Sequence, residues 1–283
     1  MTNNEFVNFI NFLADESAII AKKYFRQPNK EKEKLDKSPV TLADQEIEAL
    51  IRYNIKKEYP EHGIIGEEYD DINPDAKYKW IIDPIDGTSS FIIGRPIFGT
   101  LIALTHNNKP IIGILDQPIS NERWIGISNI GSYFIDTKLT KTSNYYNLIT
   151  SNNSQKITTR NINSINDSVM CSSSPFYFKD QNDQKILQHL TSLTKYQKIG
   201  GIIYGGDCYS FVCLAMGFVD IIIEPGLQNY DYAATQIIIE MAGGVVSDWQ
   251  GKDLNLKSDA RLLACSNPEL HQLVISEINK AIN

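Results

Sequence analysis

Apolar residues near the start of the chain recur at helical spacing. Phe6, Ile10, Leu13, Ala18, Ala21 and Phe25, with the small Ser17 among them, form one stripe, and that period predicts a long amphipathic helix over 4–26. A second helix is predicted after Pro39, with Ile47, Leu50, Ile51 and Ile55 on one face and a stop near Pro60. Residues 29–37 between them alternate in charge and read as a solvated loop. From Ile64 the period changes. The segments 79–83, 97–104, 110–115, 123–127 and 132–135 are short and β-rich, and Asn107-Asn108 fits a hairpin turn. An antiparallel meander behind two helices results, which is α+β layering and not a Rossmann wind.

Residues 138–166 are rich in Thr, Asn and Ser and weakly periodic, so the domain boundary is placed there. An N-terminal α+β domain over 1–140 and a C-terminal α/β domain over 141–283 are expected. The second half alternates strand (168–172), helix (180–193), glycine-opened helix (206–217), strand (219–224), helix (231–241), strand (262–265) and a closing helix (268–282).

Composition narrows the chemistry. Over 283 residues, 27 Lys and Arg stand against 34 Asp and Glu, a net charge of −7. That balance argues against nucleic acid as the main ligand, since phosphate backbones need clustered cations. Cys171, Cys208, Cys213 and Cys265 form no CxxC pair, and the four histidines show no metal-ligand spacing, so zinc and a disulfide framework are both disfavoured. No apolar run approaches the roughly 18 residues of a membrane span, and no secretory signal opens the chain. A cytoplasmic protein without a membrane segment is expected.

Candidate chemistry lies in four acidic segments. In Trp80-Ile-Ile-Asp83-Pro84-Ile85-Asp86-Gly87-Thr88 an apolar strand delivers two carboxylates into a tight turn. Their repulsion is costly without a cation, and a hard divalent ion such as Mg²⁺ takes carboxylate and main-chain carbonyl oxygens. An ordinary Asp-Gly turn is the competing reading. The spacing is not the Asp-x-Asp of a phospho-aspartate phosphatase, because position 85 is Ile. Gly66-Glu67-Glu68 is an acidic loop or two surface glutamates. In Val40-Thr41-Leu42-Ala43-Asp44, Thr41 and Asp44 have capping-box spacing. Asp231 opens a helix and is also a candidate N-cap.

Together and in this order, these segments resemble the signatures of the inositol monophosphatase family, and the similarity extends to Ala242-Gly243-Gly244-Val245-Val246. The resemblance implies an αβαβα layered sandwich of the inositol monophosphatase and fructose-1,6-bisphosphatase type. It also implies a Mg²⁺-dependent, lithium-sensitive phosphomonoesterase that uses metal-activated water and two or three ions. Carried over by motif, Glu67, Asp83 and the Ile85 carbonyl bind one ion. Asp83, Asp86 and Asp231 bind a second, and Glu67 helps place a third. Thr88, supported by Asp44, orients and deprotonates the attacking water, and the Gly87 and Thr88 amides hold the phosphate. Lys37, beside Ser38-Pro39, resembles the lysine of the family's mobile loop, a possible lid. Relatives are often homodimers, and a homodimer is expected.

The segments 98–104 and 205–211 are most similar to the bacterial histidinol-phosphatase branch. Asp207 and Glu224 are expected at the substrate's non-phosphate end, with helix capping as the other reading of Asp207. No Lys or Arg cluster accompanies them in the sequence. The substrate implied is a small phosphate monoester, L-histidinol phosphate or inositol 1-phosphate. A 3′(2′),5′-bisphosphate nucleotidase and a transcription-machinery interaction protein of the same fold are the alternatives.

Overall fold

The amphipathic spacing of the first 60 residues becomes two long helices. The computed structural model describes residues 3–27, 32–33, 39–140, 142–151, 154–195, 202–254 and 261–282. Helix α1 (Asn3–Tyr24) and helix α2 (Leu42–Glu58) flank a two-residue antiparallel pair, β1 (Lys32–Glu33) and β2 (Pro39–Val40). Thr41 caps α2: the Ala43 amide donates to its Oγ1 at 3.1 Å, and Asp44 Oδ2 accepts the Thr41 amide at 2.9 Å. Lys37 lies outside the described residues.

A seven-stranded sheet follows in sequence order: β3 (Gly63–Gly66), β4 (Tyr78–Asp86), β5 (Gly99–His106), β6 (Lys109–Gln117), β7 (Glu122–Ile127), β8 (Gly131–Asp136) and β9 (Gln155–Lys156). Helix α3 (Thr88–Ile92) sits between β4 and β5, and α4 (Tyr145–Thr150) precedes β9. Every neighbouring pair is antiparallel except β3 and β4, which run parallel. Asn107 and Asn108 hold φ of 51° and 64°, the left-handed pair of a two-residue hairpin turn.

A five-stranded mixed sheet is ordered β11-β10-β12-β14-β13. It comprises β10 (Met170–Ser172), β11 (Ile203–Tyr204), β12 (Ile221–Glu224), β13 (Val245–Asp248) and β14 (Leu262–Cys265), interleaved with α5 (Gln181–Leu193), α6 (Asp207–Ala215), α7 (Asn229–Ala242) and the closing α8 (Pro268–Ile282).

Three cores join five layers, the second spanning both sides of the middle helices. Helices α1 and α2 pack on one face of the large sheet through residues such as Ile10, Ile47, Trp80 and Ile102. Ile81, Leu101 and Leu115 on its other face meet α6 and α7, which also cover Ile222 and Ala264 of the small sheet. Ile221, Ile223 and Leu263 then meet α5 and α8. The layers are therefore α, β, α, β, α, the sandwich that the sequence resemblance implied. Both faces of the large sheet are buried, which is why its central strands are apolar runs without alternation.

The stretch 138–166 carries more structure than its composition suggested. Tyr145 and Ile149 of α4 enter the first core, β9 extends the large sheet, and Ile157 enters the second core. The large sheet thus continues past residue 140, and α7 lies against it on β5, β6 and β7. Strands β3 and β13, four residues each, are too short to show a period. β4 also runs three residues beyond its expected end, to Asp86, because an irregularity between Asp83 and Asp86 lets the ladder to β5 resume at Gly99.

Candidate active site

Strand parity aims the first acid. Trp80 and Ile82 point into the first core and Ile81 into the second, so Asp83 faces the middle helical layer with Ile81. Pro84 donates nothing to the ladder, and its carbonyl accepts the Thr100 hydroxyl at 2.8 Å. Gly87 then turns the chain with φ of 83° into α3. Asp231 arrives from α7, whose backbone lies so close to the large sheet that a Cβ on Gly113 would stand 2.5 Å from the Ala234 carbonyl. These elements bring carboxylate oxygens of Asp83, Asp86 and Asp231 within 4.8 Å of one another.

Three of these candidate acids also serve helix N-termini, and capping leaves a carboxylate able to serve a ligand as well. Asp44 Oδ2 accepts the Thr41 amide and, at 2.6 Å, the Thr41 hydroxyl. Asp231 Oδ2 accepts the Gln228 amide at 2.6 Å, closing a capping box on α7. Asp86, at the end of β4, caps a helix distant in sequence: its Oδ1 accepts the Cys208 amide of α6 at 2.9 Å. Backbone amides at helix N-termini thus fix one oxygen of each of these three carboxylates.

The electrostatics favour a proton or a cation among these acids. Burial, and then the charges of Glu67, Asp86 and Asp231, hold the Asp83 carboxyl well above the usual range. Burial and then Asp231 and Asp207 do the same to Asp86. Burial pushes Asp44 up to about 6. Asp83 Oδ1 and Asp44 Oδ1 are buried without a hydrogen-bond partner, an expensive condition for a carboxylate. An all-oxygen donor set with orphaned buried oxygens fits Mg²⁺, a hard ion that accepts carboxylates and carbonyls. It does not fit a soft-ligand metal.

Glu67, Asp86 and Asp231 line a cavity of about 680 Å³ with Gly87 and Thr88, whereas Asp83 and Asp44 are not in its wall. The Thr88 hydroxyl donates to the Ile85 carbonyl at 3.0 Å. A bond from Thr88 to Asp44 is not among those of the described residues. Asp207 and Glu224 line the same cavity. The N-cap of α6 is Gly206, and the Asp207 side chain makes no capping bond; it accepts instead from Ser90 Oγ at 3.4 Å and from Ser173. Asp207 also holds φ of 41°, a strained conformation for a non-glycine. Glu224 Oε1 accepts the Ser173 amide at 2.5 Å and hydroxyl at 2.9 Å, and burial pushes its carboxyl up to about 8.

The sequence offered no cations beside these acids, but the fold supplies them. Lys179 and Arg261 line the cavity, and the Arg95 charge reaches Asp207. Arg261 Nε is engaged by Asp183 at 3.1 Å. Ser173 and Tyr177 are further wall residues. The strand crossings of the small sheet bring Ser173, Tyr177, Lys179 and Arg261 together, and no local motif marks them.

The layer order and the convergence of acids on one cavity define the class, a layered α+β phosphatase. The sequence matches the profile of the inositol monophosphatase family over residues 3–283. It is 37% identical over 277 residues to the bifunctional phosphatase IMPL2, chloroplastic, of Arabidopsis thaliana, covering 95% of this chain and 73% of that protein. It is 29% identical over 220 residues to a histidinol-phosphatase of Chlorobaculum parvum, covering 77% and 76%. A solved inositol monophosphatase from Zymomonas mobilis superposes with a TM-score of 0.81 at 34% identity, covering 99% of this chain and all of that one. The chain belongs to the inositol monophosphatase family and is a phosphoric monoester hydrolase.

Proposed function

We propose that this enzyme hydrolyses a small phosphate monoester with an amino-alcohol or polyol leaving group, L-histidinol phosphate or inositol 1-phosphate, with Mg²⁺ as cofactor. The observation that carries the reading is the approach of Asp83, Asp86 and Asp231 to within 4.8 Å beside a cavity that has Asp207 and Glu224 in its wall. Relatives named as histidinol-phosphatase and inositol monophosphatase support the two substrates.

Glu67, Asp83, Asp86, Asp231 and the Ile85 carbonyl would hold the ions. When bound, divalent cations polarise phosphoryl oxygens, offset the charge of substrate and acids, and acidify water. The chain's own groups do the rest. Gly87 and Thr88 offer backbone amides to the phosphate. The Thr88 hydroxyl, held here by the Ile85 carbonyl, would orient and deprotonate the attacking water, with Asp44, whose Oδ1 is buried and unpartnered, supporting Thr88 and taking up the proton it passes on. Asp207 and Glu224 address the leaving group. Asp207 favours an ammonium, and Glu224, whose carboxyl burial pushes up to about 8, offers a hydrogen-bonding partner suited to hydroxyl donors as well. Arg95 opposes part of the Asp207 charge, so the preference for a cation is moderate.

The test compares Asp207→Asn with wild type on both substrates at one Mg²⁺ concentration. A charge-assisted hydrogen bond contributes about 1.5–3 kcal/mol and a neutral one about 0.5–1.5 kcal/mol. The loss in kcat/KM should therefore be roughly 10- to 150-fold on histidinol phosphate and smaller on inositol phosphate. Equal losses on the two would refute the role of Asp207 in choosing the leaving group.

A further inference from the structure

Two side chains of α2 close on the backbone that carries Glu67. Asp44, Glu48 and Arg52 follow one another at four-residue spacing, and all three are buried. Glu48 is fully buried, and its Oε2 accepts the Glu68 amide at 2.8 Å while Oε1 accepts Arg52 Nε at 2.7 Å. The guanidinium donates onward, at 2.9 Å to the Asp70 carbonyl and at 2.8 Å to the Tyr69 carbonyl. It also lies over the Tyr69 ring, 5.7 Å from its centroid. Gly66 completes the clamp, because a Cβ there would stand 2.2 Å from Glu48 Oε1. Residues on both sides of Glu67 are thus held by α2, and Glu67 lines the cavity.

A buried ion pair is a poor source of stability, since apolar residues of similar volume often do as well or better. This one directs its remaining hydrogen bonds to the main chain of a single loop, so what it supplies is geometry. We propose that Glu48 and Arg52 are a positioning pair for metal binding: they hold Glu67 in its ligating orientation while touching neither ion nor substrate. The proposal rests on the reading of Glu67 as a metal ligand given above. Partners that orient a ligand from the outer shell typically govern 10- to 100-fold in metal affinity.

The test is calorimetric titration of the full chain with Mg²⁺, with thermal melting in chelator and hydrogen exchange of residues 66–70 measured alongside. Arg52→Lys keeps a cation beside Glu48 but loses the forked grip on the two carbonyls. It should weaken Mg²⁺ binding about ten-fold and speed exchange in the loop, with Arg52→Met losing more. If Arg52→Met fails to fold, Arg52→Lys carries the test. Glu67→Gln should weaken binding directly, and adding Arg52→Lys to it should cost little more, because the residue being positioned has already lost its charge. Additive losses, or wild-type affinity in Arg52→Lys beside weakened Glu67→Gln, would overturn the positioning role alone. Unchanged affinity in Glu67→Gln would overturn the ligand assignment and the proposal with it.

Discussion

Asp86→Asn separates the structural and chemical duties of one carboxylate. Asn keeps an Oδ1 for the Cys208 amide that Asp86 now accepts at 2.9 Å, so α6 retains its cap. What disappears is a negative charge among acids whose oxygens lie within 4.8 Å. At that separation and an effective dielectric of about 20, each ionised pair repels by about 3–4 kcal/mol. Burial and repulsion already raise Asp83 and Asp86 well above the usual carboxylate range. Neutralising Asp86 therefore recovers a share, about 1–3 kcal/mol in the metal-free protein at neutral pH. For a chain of this size that is a rise in Tm of about 2–5 °C. Calorimetric melting in excess chelator measures it directly. Asp86→Ala should gain less, since losing an N-cap acceptor costs about 0.5–2 kcal/mol. With Mg²⁺ added, wild type should gain stability and the Asn variant should gain little, and turnover should vanish in both variants. A lower Tm for Asp86→Asn in chelator, together with retained turnover, would refute the reasoning and leave the Asp83-Asp86 turn purely structural.

Further outcomes follow from the same geometry. Glu224 is raised by burial from 4.5 to about 8, so its contribution to stability is fully present below about 4.5 and is lost as pH rises through 8. In chelator, Glu224→Gln should match wild type at pH 5 and exceed it at pH 8.5 by denaturant unfolding; parallel pH curves would contradict this. No phosphoenzyme should accumulate, because the chain's acids bind and accept a proton and none attacks phosphorus. Rapid quench followed by intact-mass analysis would reveal a phosphate on Asp83 or Asp86 if that is wrong.

Much of the fold was legible because its signals are local. The stripe from Phe6 to Phe25 and the Thr41 cap mark α1 and α2 within a few residues of their ends. The acids of the site sit in short, recognisable strings, so their identity was open to a reader of the sequence. Their second duties were not. The bond from the Cys208 amide to Asp86 joins residues 122 positions apart. The cavity cations Lys179 and Arg261 reach the site only through the order of the small sheet. The polar stripe Asp44, Glu48, Arg52 was readable in principle, since it runs at helical spacing beside the apolar face of α2. Nothing in the sequence said that this stripe would be buried against the loop carrying Glu67. The parallel pairing of β3 with β4 was hidden because direction is set by the connection between them, which no local pattern reports.

The central claim is that the buried acids make a metal-dependent phosphomonoesterase, and phosphate release across a cation titration tests it most directly. Wild-type protein is stripped with chelator, then assayed with L-histidinol phosphate and inositol 1-phosphate as Mg²⁺ is restored, with and without Li⁺. The account predicts no release in chelator, recovery with Mg²⁺ on at least one of the two substrates, and inhibition by Li⁺. Full turnover in excess chelator would contradict it.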